Sequence, residues 1–271
     1  GGLTPSRTLK PNRRSGSGRG RPRLNYRHAF HAGNFADVVK HAALLRLLQS
    51  AVAKPEPLFV LDTHAGAGVY DLRSARTTEA AAGVGRLMVE PSPPVFGPLR
   101  QAVKRLNPRG GVQAYPGSPR LIADALRPAD RYVACELRPD DHALLRAELK
   151  RSAGRCEALR TDGYAVIEAR LPARHENALV LIDPPFERGD EYERVAEAVA
   201  AALARAPAST VCVWAPLKDL ETLDDLVRRL QGAAPLTVAE CRLRPLSDPM
   251  RLNGCALLVT GARPELETDL L

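Results

Sequence analysis

The apolar run 179–182 has the make-up of a buried strand, and it breaks off in Asp183, Pro184, Pro185 and Phe186. Two prolines would stop a strand by themselves, because proline has no N–H to give to a sheet ladder. The full set suits a narrower task, methylation of an exocyclic amine on a planar base. Such a nitrogen is a poor nucleophile, since its lone pair is delocalised into the ring. An acceptor pair, the Asp183 carboxylate and the Pro184 carbonyl, would bind both amino hydrogens and favour a pyramidal nitrogen facing a methyl donor. The prolines would keep that carbonyl from turning away. Phe186 would offer a face on which an extruded base can stack.

A second set lies in DTHAGAG, Asp62 to Gly68, which follows another strand-like run. Gly66 and Gly68 would let the backbone turn tightly and approach a ligand, and Asp62 would accept hydrogen bonds from an amine or hydroxyl. A glycine-rich turn without a ligand fits the same residues, and no G-K-[ST] follows to make a phosphate loop. In a dinucleotide fold the acid that holds a ribose stands about 20 residues further on, at the end of the second strand. Glu90 is 22 residues past Gly68 but has no convincing strand before it. Glu136 ends a much better strand, 68 residues past Gly68. Choosing Glu136 requires an inserted subdomain at about 73–112, and the irregular Ala, Pro and Arg content there supports one.

His28, His31, His41 and His64 do not read as a metal cluster: no H-E-x-x-H, cysteine or acid stands at ligand spacing beside them. No metal is expected. His142 and His175 read as surface residues. The five cysteines are scattered without a C-x-x-C pair, which fits small core residues in a reducing cytoplasm.

Alternating elements must position these residues. Apolar residues at 35, 38, 39, 42, 45 and 48 predict a helix over 35–54, with Asn34 as its cap. Short helices are expected at 77–89 and 97–106. Regular alternation then resumes: helices at 118–127, 139–151, 191–205 and 218–231, and strands at 131–137, 156–160, 178–183 and in STVCVWAP. The last two strands, LTVAECRL and GCALLVTG, have no helix between them. Strands separated by helices imply a parallel sheet, and the final pair implies an antiparallel hairpin at one edge. The expected fold is α/β, a mostly parallel doubly wound sheet with an antiparallel final strand.

At 271 residues with 45% apolar content the chain can bury a sizeable core, and no run of about 18 apolar residues exists to span a membrane. The net charge of +8 invites an acidic partner, but residues 1–24 hold seven Arg and Lys and no acid, which leaves the remainder nearly neutral. That Gly, Ser, Pro and Arg-rich stretch reads as a disordered arm able to grip phosphates, or as an extension at the start of the chain.

Asp-Pro-Pro-Phe resembles the [DNS]-P-P-[YFW] signature of S-adenosylmethionine-dependent amino methyltransferases. DTHAGAG resembles their D-x-F-x-G-x-G cofactor loop, with His64 at the usual phenylalanine. More narrowly, YRHAFHAGNFADVVKH, LDTHAGAGVYDL, YPGSP, EL-x-P, and DG ahead of IDPPF occur in that order between about 24 and 262. Together they resemble the RlmJ family of bacterial 23S ribosomal RNA adenine-N6 methyltransferases.

The resemblance implies a Rossmann-like class I methyltransferase domain over 25–271 with a small helical insertion, S-adenosylmethionine as cofactor, and 23S RNA, free or in an assembly intermediate, as partner. A cytoplasmic monomer is expected. Lys40, His41 and His64 would approach the cofactor, and Ser118 would lie near its methionine end. Glu136 would hold the ribose hydroxyls, and Asp162 and Gly163 would sit beside the adenine. Asp183 would be the catalytic acceptor, and Tyr26 would help seat the target adenosine. The same chemistry can serve DNA adenine or a glutamine side-chain amide, and a non-catalytic RNA-binding or ribosome assembly protein is the reading from a different class. A dehydrogenase would need Glu90 on a ribose.

Overall fold

The computed structural model describes residues 31–73, 78–232, 234–248, 250 and 252–261. The basic arm, Tyr26 and His28 lie outside the described residues. Helix α1 (Phe35–Val52) starts where Asn34 accepts a hydrogen bond from the Asp37 N–H, as its sequence predicts. It leads to β1 (Phe59–Asp62), buried along its whole length.

Seven strands form one sheet in the order β5-β4-β1-β6-β7-β9-β8. The parallel members are β5 (Arg155–Leu159), β4 (Arg131–Cys135), β1, β6 (Ala178–Ile182) and β7 (Thr210–Leu217). β9 (Gly254–Thr260) runs antiparallel to both β7 and β8 (Leu236–Arg242), which gives the reversed strand and the edge hairpin expected of the last pair. Crossover helices cover both faces: α5 (Ser118–Ala125), α6 (Pro139–Leu149), the short α7 (Ile167–Arg170), α8 (Glu191–Arg205) and α9 (Leu220–Gln231). One apolar cluster packs Val195, Val199, Leu223 and Leu226 on one face of the sheet; the other packs Leu44, Leu48, Ile122 and Leu145 on the opposite face. Among the described residues no helix is long and apolar enough to cross a membrane.

Between β1 and β4 the chain leaves this sheet. Strands β2 (Val69–Asp71) and β3 (Ala114–Pro116) pair as a separate antiparallel ribbon. Between them lie α2 (Thr78–Ala80), a π-helical turn Ala81–Gly85 and α3 (Arg86–Val89), which run on without a break, and then α4 (Gly97–Leu106). Val84, Leu87, Leu99 and Val103 from this segment pack with Tyr115 of β3 and Val38 of α1. The segment is thereby anchored to the start of α1.

β1 lies between β4 and β6, its Asp62 level with Ala134 on one side and Leu181 on the other. Two residues past those partners stand Glu136 and Asp183, so three acids share one carboxyl edge at the point where strand order reverses. Open α/β sheets bind ligands at that place.

Candidate active site

The glycine loop follows β1. Gly66 has φ +71, and a Cβ there would fall 2.1 Å from the Tyr70 hydroxyl, so the loop keeps its backbone close to its surroundings only as glycine. Asp62 is fully buried: one carboxylate oxygen accepts from the Ser118 hydroxyl (2.9 Å) and the Tyr132 hydroxyl (3.1 Å), the other from the His64 N–H (3.2 Å). Burial pushes its pKa up to about 6, against the Ser118 hydrogen bond and with the Asp183 charge adding to the rise. Asp62 thus stands where the sequence suggests a ligand acceptor, but the protein itself already occupies three of its about four acceptor sites. Ser118, the first residue of α5, is the group that Asp62 fixes.

Glu136 is half-buried beyond β4. Oε2 accepts from the Gly66 N–H at 3.0 Å and Oε1 from the Arg138 N–H at 2.6 Å. Burial raises its pKa, and those backbone N–H groups work against the rise. A carboxylate has about four lone-pair sites, so two remain. Glu90 has no part in this edge; it pairs with Arg86 on the insertion.

Beyond β5, Asp162 accepts from the Tyr164 N–H and from Arg194 at 2.6 Å. Gly163 abuts β1's loop: a Cβ would fall 2.0 Å from the Thr63 carbonyl oxygen. The His64 ring meets Tyr164 edge-on at 4.9 Å. The Thr63 hydroxyl donates to the Leu181 carbonyl, so the 2.8 Å contact from His64 Nδ1 makes the imidazole the donor and leaves Nε2 its lone pair. Burial lowers the His64 pKa to about 4; the Asp183 and Asp162 charges oppose this and Arg194 adds to it. At neutral pH the ring is uncharged.

Asp183 follows β6 with its side chain 15% exposed. Its Oδ2 accepts from Lys40 Nζ at 2.5 Å, and Lys40, buried on α1, also reaches Asp37 Oδ1 at 2.9 Å. Lys40 therefore joins the acid of the Asp-Pro-Pro-Phe stretch. Its neighbour His41 is buried with Nδ1 2.7 Å from the Tyr115 hydroxyl, on the ribbon side of α1. Pro184 is buried, and Phe186 adopts φ +49, a conformation that non-glycine residues take only when their surroundings hold them there. Its ring packs 4.8 Å from Tyr192 and 6.0 Å from Trp214.

The structure therefore gathers Asp62, His64, Gly66, Ser118, Glu136, Asp162, Gly163, Asp183 and Lys40 along one sheet edge. Tyr26 lies outside the described residues. Sequence reasoning did not name Asp37, Tyr164, Arg194 or Trp214. Asp37 carried a readable signal, since charges at 37 and 40 interrupt the buried face of α1.

Residues 55–271 match the family described as "Ribosomal RNA large subunit methyltransferase D, RlmJ". The Ribosomal RNA large subunit methyltransferase J of Escherichia coli K12 is 32% identical over 253 residues, covering 91% of this chain and 90% of that protein. The protein of the same description from Haemophilus influenzae Rd is 33% identical over 257 residues with the same coverage. A crystal structure of a Legionella pneumophila protein superposes with a TM-score of 0.82 at 31% identity, covering 89% of this chain and 90% of that one. With the family model matching residues 55–271 and about a third of positions shared with two relatives over nine-tenths of the chain, the chain belongs to the RlmJ family of ribosomal RNA large subunit methyltransferases.

Proposed function

We propose that this enzyme transfers a methyl group from S-adenosylmethionine to the N6 amino group of an adenine in 23S ribosomal RNA. The observation that carries this reading is Asp183, held by Lys40 at the carboxyl edge of β6 and followed by two prolines and a strained aromatic. The protein's donors and acceptors fit the cofactor. Glu136 has two lone-pair sites left for two ribose hydroxyls. Ser118 has its proton committed to Asp62 and remains an acceptor, the polarity that an ammonium requires. Asp162, beside Gly163, suits an amino group on the adenine ring. When bound, the cofactor supplies the activated methyl group as a sulfonium.

The protein then has to align and polarise the acceptor nitrogen. The Asp183 oxygen not engaged by Lys40 takes one amino hydrogen of the adenine and the Pro184 carbonyl takes the other, which turns the nitrogen lone pair toward the methyl group. With the nitrogen so aligned, the new carbon–nitrogen bond would replace the carbon–sulfur bond, the thioether S-adenosylhomocysteine would leave, and the surplus N6 proton would pass to water. Phe186, braced by Tyr192 and Trp214, stacks on a base that has left its own stack, so loop or single-stranded RNA is the substrate form. A cytoplasmic setting fits the five unpaired cysteines.

The test is transfer of labelled methyl to unmodified 23S RNA, with DNA and protein as parallel acceptors and nucleoside analysis of the product. N6-methyladenosine is expected, with Asp183→Ala slower by about 10²–10³-fold. Label in DNA or protein alone would overturn the assignment.

A further inference from the structure

Asp37 occupies the first turn of α1, almost fully buried, with one oxygen accepting from the Gly33 N–H at 3.0 Å and the other 2.9 Å from Lys40 Nζ. Lys40 Nζ continues to Asp183 at 2.5 Å. One buried ammonium is therefore shared by two carboxylates that stand 146 residues apart in sequence. A lysine committed to Asp183 alone would neutralise it and weaken it as an acceptor. A lysine pulled from two sides holds its place and leaves the group of three with net negative charge.

Resting on the function proposed above, we propose that Asp37 is a positioning residue for methyl transfer: by sharing Lys40 it keeps Asp183 in one orientation and anionic enough to grip the amino group of the target base. Among the described residues, the other titratable groups that face Lys40 come from β2, β3, β7 and β9: Tyr70, Tyr115, Cys212 and Cys255. Burial raises the pKa of all four, and at Cys255 the hydrogen bond with Cys241 raises it still more, so all four remain uncharged. Among the described residues the charges that act on Lys40 are then Asp183 and Asp37, and together they hold its pKa well above the ordinary lysine value despite burial, which alone would lower it.

The test is Asp37→Asn, which keeps an oxygen for the Gly33 N–H and removes the charge. We expect kcat to fall about 10-fold, with KM for RNA and cofactor affinity little changed. The high-pH limb of kcat should move to lower pH, because Lys40 loses one of the two charges that keep it protonated. In a Lys40→Gln background the same substitution should have no further effect on kcat. An unchanged kcat, or an equal fall in both backgrounds, would overturn the proposal. If the wild-type protein transfers no methyl group to RNA, the functional reading fails separately. The charge sharing is then read from Lys40 itself, by NMR titration of ¹³Cε-labelled lysine: a pKa that does not fall in Asp37→Asn overturns it.

Discussion

Among single residues, Glu136 offers the sharpest test of cofactor binding. Each of its oxygens already accepts a backbone N–H, from Gly66 and Arg138. Glu136→Gln is nearly isosteric but sets an NH₂ group against one of those donors, so the glycine loop and the ligand both lose. Titration calorimetry should find S-adenosylmethionine bound about 10–100-fold more weakly, from about 1–3 kcal/mol of lost hydrogen bonding. Unchanged affinity would remove Glu136 from the ribose site. Glu136 was legible from sequence because a strand pattern led directly into it. The bond between Lys40 and Asp183 was not: the partners are 143 residues apart and belong to different elements, so no local period connects them. Asp62 was legible as important but not in its role, since two of its three donors come from β4 and α5, far away in sequence.

At the scale of elements, the strong periodic signals translated directly: the helices expected at 97–106 and 191–205 have those bounds. The ribbon β2–β3 was invisible because three-residue strands are too short for alternation to register. Loops that close the site depended on packing that sequence does not display. Gly163 illustrates this, as its φ of −64 would suit any residue. What demands glycine is the Thr63 backbone 2.0 Å from where a Cβ would sit. Gly163→Ala must therefore push the loop after β5 away from the loop after β1. The expected cost is about 1–3 kcal/mol of stability, read as a lower denaturation midpoint. Weaker cofactor binding should accompany it, because Asp162 and His64 move apart. A variant as stable as wild type would mean that the two loops can separate freely.

At the scale of the whole molecule, two groups of the glycine loop oppose each other in their response to pH. Asp62 has its folded pKa raised from 3.8 to about 6, so between those values the folded state binds more protons than the unfolded chain and stability is lost as pH rises. His64 has its folded pKa lowered from 6.5 to about 4, so the folded state binds fewer protons there and stability is lost as pH falls. Each shift corresponds to about 3 kcal/mol, and the windows nearly coincide, so the two contributions largely cancel. Above pH 6.5 the loop holds a mainly ionised Asp62 that fixes Ser118 and a neutral His64. His64→Phe removes one contribution and leaves the other. Measured by urea denaturation, the stability of this variant relative to wild type should fall by about 1–3 kcal/mol between pH 4.5 and 6.5. A constant difference across that range would show that His64 is not held neutral by the fold, and the Asp62 carboxylate would then be the loop's only pH-sensitive group.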